Sequence, residues 1–112
     1  MAEPRLKAGL WVKAALRACA AQGLTATLLR HGDDDAGAVL IKQNLLGGGF
    51  RVLVQVRDGA GRAVWMAGTG DSAVDESAAD AYVTRQVGRD RDLWVVEIES
   101  RDGQLPFDAP ML

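Results

Sequence analysis

From Leu10 to Gln22 the apolar residues Trp11, Val12, Ala15, Leu16 and Cys19 recur three and four positions apart, while Lys13 and Arg17 fall on the other side. That spacing predicts an amphipathic helix with one buried stripe. Gly23 follows it, the natural left-handed cap because a residue without Cβ takes positive φ freely. Ala8 and Gly9 stand where the N-cap belongs and make a weak one. The pattern then changes period. TATLLRH and AVLIKQNLL are β-branched and apolar runs of strand length. FRVLVQVRD alternates, with Phe50, Val52, Val54 and Val56 facing one way and Arg51, Leu53, Gln55 and Arg57 the other. RAVWM makes a short fourth strand after the turn DGAGR.

Residues 68–74, GTGDSAV, form a loop, and Asp75 or Ser72 can cap a second helix running to about Val87. Ala79, Tyr82, Val83 and Val87 make its buried stripe, with acids early and bases late to complement the helix dipole. In DLWVVEIES, Trp94, Val96 and Ile98 share one face of a strand and Leu93, Val95, Glu97 and Glu99 the other. The tail QLPFDAPML carries two prolines and should be irregular, though Phe107, Met111 and Leu112 give it something to dock with.

The expected order is helix, four strands in a meander, helix, strand. This predicts an α+β fold with one mainly antiparallel sheet and both helices packed on one face. The faces bearing Phe50, Val52 and Val54, and Trp94, Val96 and Ile98, are the expected seat of the helices. The opposite face then mixes Arg51, Arg57, Glu97 and Glu99 with Leu53, Leu93 and Val95. A sheet face of that kind is either solvated with cross-strand ion pairs or part of an interface. Leu53, Trp65, Leu93 and Val95 are the interface candidates.

The stretch RHGDDDAGAV places a histidine and three aspartates between two strands. Gly and Asp tolerate unusual backbone angles and satisfy their own backbone locally, so the run is read as a corner. The competing reading is a divalent metal site on Asp33, Asp35, Glu97 and Glu99, with Lys42 steadying charge in a phosphoester hydrolase. Consecutive turn residues point in different directions, and Leu40 stands where a restriction-nuclease-like pattern needs an acid two places before the lysine. Other chemistry has less support. Cys19 falls on the buried stripe, His31 with Ser72 or Ser77 lacks a nucleophile elbow, and the glycine tracts lack the Lys-Ser/Thr of a phosphate loop. Trp11, Trp65 and Trp94 read as core anchors.

Composition narrows the class. A chain of 112 residues is the length of one domain, and residues 1–103 are expected to form it, with 104–112 as the tail. A formal net charge of -2 argues against nucleic acid as the partner. A phosphate-binding patch of Arg51, Arg57 and Lys42 is less expected than a solvated face paired with Glu97 and Glu99. The lone Cys19 excludes an internal disulfide and favours a reducing compartment. Lys13 and Arg17 interrupt what would otherwise be the apolar core of a signal peptide, and no uncharged run is long enough for a membrane span.

The segments RLKAGLWVKAALRACAAQG, LLRHGDDDAGAVLIK and DAYVTRQVGRDRDLWVVEIESRDG together resemble a family of small alphaproteobacterial proteins catalogued only as a domain of unknown function. The resemblance spans nearly the whole chain and is most specific at AGAVLIK and DLWVVEIE. The chain departs from the family pattern at its GGG tract, where an Asp-Gly turn is usual, and before Leu93, where an aromatic-Asp-Pro-Asp run is typical. The resemblance implies a bacterial cytosol and a single domain, and it brings no catalytic residues. The expectation is a cytoplasmic, non-enzymatic interaction or accessory protein without a cofactor. It would self-associate as a homodimer, or dock on a protein partner not yet known, through the mixed sheet face or a free strand edge.

Overall fold

The computed structural model describes residues 7–112. In order the elements are α1 (Ala8–Ala21), β1 (Ala26–Arg30), β2 (Val39–Asn44), β3 (Phe50–Arg57), β4 (Ala63–Ala67), α2 (Glu76–Arg89) and β5 (Trp94–Glu99). The strands form one sheet in the order β1-β5-β2-β3-β4. β2, β3 and β4 make an antiparallel meander, β5 runs parallel to β2, and β1 runs antiparallel to β5.

Two expectations are corrected here. The meander has three strands, because β5 inserts between β1 and β2 and makes the sheet mixed. A parallel neighbour of β2 must be reached by a crossover, and α2 supplies it. The helices also lie on opposite faces, not on one. Ile41, Leu53, Trp65, Val96 and Ile98 pack with Val12 and Cys19 of α1. The alternate residues Leu40, Val52 and Val95 pack with Ala79 and Tyr82 of α2. Residues of one strand that alternate between two clusters point to two sides of the sheet. Phe50, Val52 and Val54 therefore meet α2, while Trp94, Val96 and Ile98 meet α1. The physical reason is visible in β2: Val39 to Gln43 are all buried, as in a strand covered on both faces.

The helix ends follow local chemistry. Gln22, Gly23 and Leu24 close α1: Gly23 takes φ 73°, its N–H donates to the Ala20 carbonyl, and the Leu24 N–H donates to the Cys19 carbonyl. This is the paired arrangement that satisfies the last carbonyls of a helix. The start of α1 has no side-chain cap. Instead the Gly9 N–H donates to the Asp34 carbonyl at 3.0 Å, so the aspartate loop serves as its cap. In α2 the Asp75 carboxylate accepts from the Ala78 N–H at 2.9 Å and from the Ser77 hydroxyl, and these bonds hold it below the usual carboxylate range.

The C-terminal tail lies on the α1 side. Phe107 meets Trp11 edge to face with ring centroids 5.2 Å apart, and Trp11 in turn sits 5.6 Å from Trp65. The Trp65 N–H donates to the Pro110 carbonyl, and the Leu112 N–H donates back to the Trp65 carbonyl.

Gly37 tests this packing, because a Cβ there would run into the Asp92 carbonyl and the Trp94 ring, whereas Gly59 faces open space. Gly37→Ala is expected to lower the melting temperature by several degrees and Gly59→Ala to leave it within about a degree. Ile41→Ala, deep between sheet and α1, is expected to cost about 2–5 kcal/mol in a urea titration; a cost under about 1 kcal/mol would contradict its burial.

Candidate functional site

The aspartate run is a corner. Asp33 Oδ2 accepts from the backbone N–H groups of Asp35 at 3.1 Å and Ala36 at 2.8 Å, which is an Asx turn. Its own N–H donates to the Asp92 carbonyl, and its carbonyl accepts from Trp94 Nε1 at 2.7 Å. His31 stacks on Trp94 with centroids 4.1 Å apart and lies 3.6 Å from Asp34. The exposed pair Lys7 and Asp35 completes the loop. Each aspartate therefore has a local structural partner.

Glu97 and Glu99 share a strand face as expected, but they lie toward the other end of β5. The corner is tied to Trp94, where β5 begins. Glu97 is three residues further along, about 10 Å away at roughly 3.3 Å per residue. The four candidate ligands Asp33, Asp35, Glu97 and Glu99 do not converge, and among the described residues no group of three His, Cys, Asp or Glu is arranged to hold a metal ion.

Glu97 belongs to a different cluster. Lys42 on β2 is its register neighbour in the parallel pair. The Lys42 side chain is 5% exposed, and its Nζ lies 2.7 Å from Asp80, 2.9 Å from Glu76 and 3.3 Å from Glu97. Glu76 and Asp80 are four apart on α2, so both hang over the same turn. The Phe50 ring lies 5.0 Å from the ammonium, and Asn44 Nδ2 donates to the other oxygen of Glu97. Burial alone would push the ammonium down, but the three carboxylates outweigh it and hold it above the usual lysine range. An ammonium has three N–H donors, and here each has a carboxylate. Lys42 is thus fully occupied in joining α2 to the sheet centre and has no donor left for a phosphate. Arg51 and Arg57 project to the α1 side of the sheet, away from Lys42, so the three bases form no common patch.

The interface candidates are also placed inside. Leu53 is 3% exposed, Trp65 2%, Leu93 3% and Val95 1%. The mixed face on which they were expected to be accessible does not exist, because α2 covers one side and α1 with the tail covers the other. Cys19 is fully buried, and burial pushes its thiol up, as for an unreactive hydrophobe.

What remains accessible is a strand edge. The outer edge of β4 is covered by the tail through Trp65. Among the described residues no strand lies beside the outer edge of β1, and Leu28 and Leu29 on it are 39% and 49% exposed. A register shift between Leu28 and Arg30 marks a bulge against β5 that interrupts the edge. Sequence reasoning missed this pair. Its only signal is two consecutive leucines in a short strand, one of which must face away from the core.

Lys42→Met keeps the stem over Phe50 and leaves three carboxylates without their cation; it is expected to cost about 1–3 kcal/mol, and less in 1 M salt because the repulsion is screened. A higher folded pKa means this contribution is fully present below the ordinary lysine range and is lost only as pH rises above it. A stability profile flat from pH 6 to 9 in its Lys42-dependent part is therefore expected by difference from the variant. Chelator-treated protein titrated with Mg²⁺, Mn²⁺ or Zn²⁺ is expected to show no rise in melting temperature; a rise of several degrees that Asp35→Asn removes would restore the metal reading.

A model for proteins of unknown function, DUF1491, matches residues 6–108. The fold is similar to the crystal structure of a DUF1491 family protein from Caulobacter crescentus, at 38% identity and a TM-score of 0.84, with 96% of this chain and 100% of that one covered. A solution structure of a DUF1491 protein from the same organism is similar at 36% identity and a TM-score of 0.84, covering 98% and 99%. Protein Atu0922 from A. tumefaciens is similar at 25% identity and a TM-score of 0.79, covering 97% and 100%. No curated protein matches. With nearly its whole length matched by the family model and by these structures, the chain belongs to the DUF1491 family.

Proposed function

We propose that this chain is a non-enzymatic interaction or accessory protein of the bacterial cytoplasm that self-associates through the outer edge of β1. The observation that supports this most is the asymmetry of the sheet: one edge is covered by the chain's own tail, and the other displays Leu28 and Leu29. An open edge offers unpaired N–H and C=O groups to another strand. An antiparallel pairing of two copies centred on Leu28 sets leucine against leucine, Thr27 against Leu29 and Ala26 against Arg30, so no like charges face each other. Because the described residues leave one edge open in each chain, such pairing closes at two copies and does not propagate. Five residues a side with a bulge make a small interface, so the association is of the weak, reversible kind.

The metal-dependent phosphoester hydrolase is not supported. Its proposed ligands are split between the Asp33 corner and the far end of β5, and its electrostatic helper is spent on three carboxylates. Among the described residues no helix is long and apolar enough to cross a membrane.

Sedimentation velocity over a concentration series tests the reading. The wild-type chain should shift from monomer to dimer at about 10–1,000 μM, the range of a small interface. Leu28→Lys combined with Leu29→Lys should stay monomeric with its melting temperature kept within about two degrees, since both side chains are exposed. A wild-type chain that remains monomeric throughout, or a double variant that dimerises equally well, would sink the proposal.

A further inference from the structure

The tail roofs a cleft of about 270 Å³ on the α1 side, between β2, β3 and residues 103–111. Its floor carries two polar groups that the rest of the chain leaves unanswered. Gln43, 1% exposed, donates from Nε2 to the Gly103 carbonyl at 3.0 Å. A carbonyl can only accept, so the amide orientation is fixed by chemistry. Its Oε1 is then an acceptor, buried and without a hydrogen-bond partner. Arg51 sits opposite Gln43 in the β2–β3 register, and its Nε is likewise buried without a partner. Buried polar atoms are nearly always paired, so two neighbouring exceptions lining one cavity call for an explanation.

The walls are apolar. Leu53 lies in the floor, and Leu105, Phe107 and Met111 come from the tail. The tail is held at both ends. At its start the Ser100 hydroxyl donates to the Gln104 carbonyl, and the Asp102 carboxylate accepts from the Gln104 N–H. At its end the Trp65 bonds hold Pro110 and Leu112. The cleft is thus framed on fixed elements.

We propose that this cleft binds a small free carboxylate that carries a hydrogen-bond donor on the adjacent carbon and an apolar side chain, the chemistry of a branched 2-hydroxy acid. The guanidinium of Arg51 is always charged and offers Nε–H to an anionic oxygen. Gln43 Oε1, an acceptor, takes the neighbouring O–H. The aliphatic part lies against Leu105, Phe107 and Met111. The volume falls just under the roughly 300–1,000 Å³ of ordinary ligand pockets, which limits the occupant to a molecule of this size. Neither feature suffices alone: a simple fatty acid leaves Gln43 without a donor, and a neutral diol gives Arg51 no anion.

Nuclear magnetic resonance titration of the whole chain with 2-hydroxy-4-methylpentanoate tests the assignment. A saturable shift of the Gln43 side-chain amide, the Arg51 Nε–H and the backbone amides of Gln104, Leu105, Phe107, Ala109 and Met111 is expected, with a dissociation constant of about 1 mM or tighter. Two analogues follow the same signals: 4-methylpentanoate, which lacks the donor, and 4-methylpentane-1,2-diol, which lacks the carboxylate. Each should bind at least about tenfold more weakly. Arg51→Lys retains a positive charge but loses the Nε–H, and about a tenfold loss of affinity is expected with an unchanged amide spectrum elsewhere. If Arg51→Lys fails to fold, the analogue series on the wild-type chain decides alone. No saturable shift from the hydroxy acid would mean that the cleft holds water only. Equal binding of all three compounds, or shifts confined to other surfaces, would also overturn the proposal.

Discussion

The parallel pairing of β5 with β2 is the constraint from which the rest of the architecture follows. Once β5 lies beside β2 in the same direction, the chain leaving β4 must cross the sheet, and α2 is the segment that does so. The crossover covers one face with α2 and leaves the other to α1 and the tail. β2 and β5 become interior strands buried on both sides, and this accounts for the nearly unbroken apolar runs VLI and WVV. The same pairing pushes β1 to the outside, where it has β5 on one side and, among the described residues, no strand on the other.

The parallel register also explains the one charged group at the centre of the fold. It sets Lys42 beside Glu97, and the helix above adds Glu76 and Asp80. A lone buried ammonium would be costly. Here its donors are satisfied, while Glu76 and Asp80 remain half-exposed to solvent and keep part of their hydration. The arrangement is better understood as positional than as a large source of stability, since ion pairs with partly solvated partners contribute little net free energy. An ammonium shared by three acids adds a directional tie between α2 and the sheet, which apolar packing does not supply. The carboxylates and the lysine that suggested phosphoester chemistry are the components of this anchor.

Local structure was legible in the sequence to the extent that it was determined locally. The stripe of α1, the Gly23 termination, the Asp75 cap and the Asx corner at Asp33 all depend on residues within a few positions, and the structure shows each of them. Long-range placement was not legible. The pattern of FRVLVQVRD separates two faces, but nothing in it says which helix each face meets. Reading Leu53 and Val95 as a mixed open face followed from assuming a single covered side. The buried run Val39 to Gln43 carried the contrary signal, since a strand with one solvated face should alternate. A free strand edge was expected, but which strand would supply it could not be read, because being at an edge depends on which strands pair and not on the composition of the strand.

The tail links the two surfaces that the fold leaves available. By composition it is an irregular segment with two prolines, and it forms no strand beyond a single bridge from Met111 to Trp65. Proline lacks an N–H, so Pro110 contributes only its carbonyl, to the Trp65 N–H, and the Leu112 N–H returns the bond to the Trp65 carbonyl. A segment bonded at so few points blunts the β4 edge without adding a new strand whose far side would be open in turn. Between its anchors at Gln104 and Pro110 the tail passes over Gln43 and Arg51 and shields them without answering their hydrogen bonds. The chain therefore closes one edge of its sheet with the same nine residues that enclose a small polar floor, and among the described residues the β1 edge and that floor keep groups with bonds still to make.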